Sequence, residues 1–206
     1  MTDKFILESF WQKKANCATI AIIKAAILKY GLNKVFKVNQ KLGTCLVVLK
    51  DKKLLTLTDT EINRINRRND IVFSRYKNPG KKKQLDKLRK YVRFCFAVIV
   101  RNIQLNGYDG KEYTQSAAIH ELIREGLNIE HLHSLLGLYR KTTSAHKLVR
   151  SHLPILKRKK AVLLYNPDHI VVLSGGYYED YGTAVPIGNE FPILKGKKAR
   201  SWYELK

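Results

Sequence analysis

Acidic residues are scarce in this chain. Against 39 Lys+Arg stand 17 Asp+Glu, a formal net charge of +22 over 206 residues. That imbalance excludes a charge-balanced surface and draws the protein toward polyanions: nucleic acid, an anionic membrane or an acidic partner. Cysteine is also sparse. Cys17, Cys45 and Cys95 are odd in number and lack any C-x-x-C spacing, which excludes a disulfide framework and a paired-cysteine zinc site. No apolar run approaches the ~20 residues that cross a bilayer, the run at 94–100 being far too short. The opening stretch MTDKFILESFW carries acids and no small-residue cleavage pattern, so a Sec signal peptide is not expected. The expected setting is a reducing cytoplasm, or delivery by a specialised secretion route. No internal repeat, low-complexity tract or long linker divides the chain, so a single domain over 1–206 is expected, large enough for one sizeable core.

The most organised stretch is FWQKKANCATIAIIKAAILKYG, at 10–31. From Cys17 to Tyr30 it has no Pro or Gly and is rich in Ala, Ile and Leu, which predicts helix. Asn16 is a natural N-cap. Apolar residues cover nearly the whole helical circumference, with Lys24 the only charge before Lys29. A helix apolar on all sides is a buried one. Cys17 therefore opens a central helix, where the helix dipole favours a thiolate. Gln12 lies just upstream, with an amide able to donate to a developing oxyanion. A cysteine in such a place is otherwise a small core hydrophobe, and a catalytic reading needs a base.

The rest of the chain divides into a helix-rich part (about 1–137), a basic connection (138–160) and a β-rich part (161–206). The pattern predicts a short strand near 35–38 and a hairpin of Thr44–Leu49 and Leu54–Thr58. A capping box, Thr58 to Glu61, opens a helix through about Asn69. Asn78-Pro79-Gly80 reads as a break before a long helix over 84–105. Thr114 caps a helix ending near Gly126, and a short one follows at about 128–137. In the β-rich part, strands are expected at 161–165, 169–174, 183–187 and 201–205, with GGYYEDYG at 175–182 as a turn-rich connection. The fold class is α+β, with a C-terminal antiparallel sheet.

Six histidines are candidate bases. His131 and His133 point to different faces of a helix, and with no further ligand spaced to join them neither a metal site nor a cofactor is expected. His169 begins a strand straight after the Asn166-Pro167-Asp168 turn, ahead of an apolar run, which puts its ring at the mouth of a sheet. Opposed residues of an antiparallel hairpin keep a constant index sum. With the turn centred near Glu179, His169 faces Asn189, whose amide fixes an imidazole tautomer. Asp180 is the alternative orienting residue.

Gln, then Cys opening an apolar central helix, then a late His on a strand and an Asn on the next, resembles the papain-like cysteine peptidases. The Cys-helix and the stretch VVLKDKKLLTLTDTEI are most similar to the calpain-like branch and related bacterial proteins. The Gln12–Cys17 gap is one residue shorter than the usual papain spacing. The resemblance implies a papain-like fold and a thiol hydrolase acting on a protein or peptide, with Cys17 as nucleophile, His169 as base, Asn189 orienting it and Gln12 in the oxyanion hole. Two other readings stand beside it. One is a non-catalytic module that binds nucleic acid or another polyanion through basic runs at 81–90 and 141–160. The other is an inactive papain-fold scaffold.

Overall fold

The computed structural model describes residues 1–12, 17–124, 129–141, 146–167, 169–190, 192–194 and 197–206. The chain runs α1 (Asp3–Ser9), β1 (Phe10–Gln12), α2 (Cys17–Tyr30), β2 (Lys37–Lys41), β3 (Thr44–Val48), β4 (Leu54–Thr58), α3 (Asp59–Asn66), β5 (Ile71–Phe73), α4 (Pro79–Asn106) and α5 (Gln115–Arg124). A 3-10 turn (Ile129–Leu136) follows. Then come β6 (His146–Lys147), a 3-10 turn (Arg150–His152), α6 (Leu153–Arg158), β7 (Val162–Asn166), β8 (His169–Ser174), β9 (Tyr177–Asp180), β10 (Thr183–Pro186), β11 (Ile193–Leu194), β12 (Lys197–Lys198) and β13 (Ser201–Glu204). The architecture is α+β with antiparallel sheets.

The central helix forms where its composition predicts. All ten residues of α2 from Ala18 to Ile27 are buried, and each of the four isoleucines among them contributes about 1.5–3 kcal/mol of burial. The Asn16 cap lies outside the described residues. One face of α2 packs on β8, whose six residues are all buried. Local signals account for most other elements. In α3, Thr58 Oγ1 accepts from Glu61 N at 3.1 Å while Glu61 accepts from Thr58 N at 2.9 Å, a reciprocal capping box. Thr114 Oγ1 accepts from Ala117 N at the start of α5. The N-terminal half also holds a three-stranded sheet, β2-β3-β4.

Two expectations need correction. The long helix begins at Pro79 rather than near 84, because Asn78 accepts from Lys81 N and Pro79 sits in the first turn, the one helical position that loses nothing from a missing N–H. The second correction concerns the sheet, whose strand order is β10-β9-β8-β7-β13-β6. The stretch at 175–182 is not a connection but two tight turns around β9. Gly175 and Gly176, at φ 58° and 83°, reverse the chain immediately after β8, a backbone that glycine adopts without steric cost. The register is therefore Leu173↔Tyr178 and Ser174↔Tyr177. Carried on, it brings His169 level with the next turn, Tyr181-Gly182, and not with Asn189. Asn189 lies exposed in a bend beyond β10. Among the described residues, no helix is long and apolar enough to cross a membrane.

Candidate active site

Cys17 is the first residue of α2 and is partly buried, whereas Cys45 and Cys95 are fully buried. His169 opens β8 and is 3% exposed. Its backbone is fixed by the turn before it. The buried Asn166 accepts from His169 N through Oδ1 at 2.9 Å and donates through Nδ2 to Lys197 O at 3.2 Å. Asp168, within that turn, is outside the described residues. Asn166 and His169 are also opposed across β7 and β8.

The residue that links the two is Tyr181. Its ring stacks on His169, centroids 5.3 Å apart and planes 16° from parallel. Partial burial raises its phenol pKa, and the charge on Cys17 raises it further, ahead of those on Asp180 and Glu179. So Tyr181 touches the imidazole and lies within electrostatic reach of the thiol. Trp11 of β1 forms a second aromatic wall, its ring close enough to Gly182 that an added Cβ would sit 2.5 Å from it.

The turn that carries Tyr181 is strained and anchored. Tyr181 has φ 45° and Gly182 φ 84°, two positive values between strands paired Asp180↔Thr183, as a two-residue hairpin turn of type I′ requires. The first position of such a turn favours Asn, Asp or Gly, and a bulky residue there costs on the order of 1–3 kcal/mol. From below, Glu179 Oε1 accepts from Gly182 N at 2.7 Å and pairs with Lys24 Nζ at 3.2 Å. Lys24 is fully buried, also donates to Leu7 O at 2.7 Å, and sits 5.0 Å from the Phe10 ring centre. Burial lowers its pKa to about 8, the Glu179 charge opposing the shift. Cys17 and Lys24 are seven residues apart on α2, two turns along the same side. One side of the helix thus carries the thiol at its end and the buried cation farther in.

The other sequence-predicted residues fare unequally. Gln12 ends β1, paired with Ile71; its side chain is outside the described part. Asp180 closes β9 beside Tyr181, partly buried, its carboxyl raised by that burial and then by Glu179. Asn189 is not brought to His169 by the sheet. Sequence reasoning passed over Asn166, Glu179 and Tyr181. The one available signal was Lys24, a lone charge in an apolar helix, which had to have an acidic partner. Among the described residues, no group of three or more His, Cys, Asp or Glu gathers to hold a metal. The chain matches no family model, no curated protein and no solved structure.

Proposed function

We propose that this protein is a thiol hydrolase of the cysteine-peptidase kind, papain-like in arrangement, with Cys17 as nucleophile and His169 as general base. The observation that carries the reading is the packing of α2, which begins at Cys17, on β8, which begins at His169, with Tyr181 stacked on the His169 ring. The chemistry follows from the residue types. The Cys17 thiolate attacks the acyl carbon of a protein or peptide, and a C–S bond forms. The Cys17 backbone N–H and the Gln12 amide receive the oxyanion. His169 then protonates the departing amine as the C–N bond breaks. A water deprotonated by His169 next attacks the thioester, releasing a carboxylic acid and the thiol. Of the two orienting candidates, Asp180 immediately precedes the Tyr181-Gly182 turn, whereas Asn189 lies beyond β10.

Iodoacetamide at pH 6 is expected to label Cys17 at least tenfold faster than it labels glutathione. Burial alone slows Cys45 and Cys95, so the deciding comparison is His169→Ala. That change is expected to bring the Cys17 rate down to that of an ordinary thiol, a loss of about tenfold or more. An unchanged Cys17 rate in His169→Ala removes the thiol–imidazole pair.

A polyanion surface is the second reading, and it is compatible with the first. The opening half of α4 exposes Lys81, Lys82, Lys83, Lys87 and Lys90, with no acid in its first turn. A shallow hollow of about 370 Å³ is lined by Lys82, Lys83, Lys87 and Lys90, with Asp86 among them. Cations at a helix N-terminus oppose the macrodipole, so this face is kept at a stability cost. Single-stranded oligonucleotide is expected to bind with a steep salt dependence. Changing Lys82, Lys83, Lys87 and Lys90 to Ala should flatten the log–log slope by about 0.7 per lost phosphate contact. An unchanged slope places the contact elsewhere on the surface.

A further inference from the structure

Tyr181 is a costly residue where it stands. It occupies the left-handed first position of a two-residue turn, at φ 45°, and is 54% exposed. Burial therefore returns little to offset the backbone, and Asn or Gly would fit the turn better. Strain retained at an exposed position needs a reason in what the side chain touches. What it touches is the His169 ring, in a near-parallel stack at 5.3 Å.

We infer that Tyr181 is a positioning residue for the His169 imidazole, presented to it by a strut that runs from the nucleophile's own helix: Lys24 of α2 to Glu179 of β9, and Glu179 to the backbone N–H of Gly182. The inference deepens the thiol-hydrolase reading and rests on it. An imidazole on a strand end keeps a two-fold choice of ring orientation about χ2. A stacked ring fixes the plane, confining χ2 to two values half a turn apart and holding the imidazole against tilting away from the thiol. The strut then makes that plane move with α2. Lys24 Nζ and Glu179 Oε1 are 3.2 Å apart and Glu179 Oε1 is 2.7 Å from Gly182 N, so the turn cannot drift from the helix without breaking a buried charged contact. Trp11 against Gly182 closes the far side of the same turn.

The substitution Tyr181→Asn separates this role from a packing role, because the two have opposite signs. Relief of the turn is expected to raise the melting temperature by about 2–4 °C, while Cys17 labelling at pH 6 falls at least fivefold. Tyr181→Phe keeps the ring and is expected to keep both the rate and the melting temperature of the native protein. The His169 Cε1–H proton signal gives a reading independent of the thiol: the stacked ring shifts it upfield in the native protein and in Tyr181→Phe, and Tyr181→Asn abolishes the shift. An unshifted His169 signal in the native protein, or native labelling in Tyr181→Asn, overturns the inference. Native labelling in His169→Ala overturns the hydrolase reading as well. If His169→Ala slows the thiol and Tyr181→Asn does not, the positioning role fails and the hydrolase reading survives.

Discussion

Replacing Lys24 by Met is expected to cost about 3–5 kcal/mol of folding stability, the usual price of breaking a buried ion pair from one side. Methionine matches the length of the lysine stem, so the change creates almost no cavity. What is lost is electrostatic. Leu7 O loses a donor at 2.7 Å, and Glu179, with its side chain 8% exposed, loses its cation. The carboxylate keeps the Gly182 N–H, which satisfies one lone pair and leaves the charge uncompensated. In urea the midpoint should fall with the slope unchanged, since the same surface is exposed on unfolding. The double variant Lys24→Met with Glu179→Gln should recover much of the loss, because it removes the stranded charge. A Lys24→Met loss below about 1 kcal/mol would show that the lysine is not held as a buried cation. The same experiment reports on the site, as the strut carries the Tyr181-Gly182 turn.

The sequence carried the parts of this fold that are decided locally. The span of α2 follows from an unbroken apolar run without Gly or Pro, and the spans of β4 and β8 from bounded β-branched stretches. The capping box of α3 is complete within four residues. Local reading failed where one residue type serves two purposes. Asn78-Pro79-Gly80 reads as a breaker, yet Asn and Pro are also what a helix start prefers, and α4 begins there. The stretch GGYYEDYG reads as one loop because turn formers dominate it. Its central residues Tyr177 to Asp180 instead form β9 between two turns. That single misreading displaced the register and put Asn189 opposite His169. The candidate site divides in the same way. Cys17 and His169 are visible because each begins an element. Glu179 and Tyr181 matter only through pairings between α2, β8 and the hairpin, contacts more than a hundred residues apart in the case of Lys24 and Glu179, which no local pattern announces.

At alkaline pH three groups of the core are expected to remove on the order of 5 kcal/mol of stability between pH 8 and pH 11, an amount that Lys24 offsets in part. Cys95 is fully buried, and Tyr91 and Tyr108 are nearly so. Burial is the first cause that raises the pKa of each. The Tyr91 oxygen accepts from Val35 N at 3.0 Å, a bond that favours the phenolate and opposes the rise, but burial outweighs it. In the unfolded chain the thiol ionises above about 8.5 and the phenols above about 10, while the folded chain holds all three protons. The folded state then binds more protons than the unfolded one, so stability falls as pH rises. Lys24 works in the opposite direction. With a folded pKa near 8, it gives up its proton in the folded state first, and stability rises between about pH 8 and the unfolded value near 10.4. The native protein should therefore change little in stability from pH 8 to about 9.5 and decline steeply above it. Lys24→Met should decline from about pH 8.5 without that plateau, and Cys95→Ala with Tyr108→Phe should flatten the steep limb. Urea midpoints taken at pH 8, 9.5 and 11 separate the two contributions. If the native protein and Lys24→Met follow parallel curves across that range, Lys24 does not titrate near 8, and the buried cation of the strut keeps its charge by a stronger pairing than the geometry at Glu179 supplies.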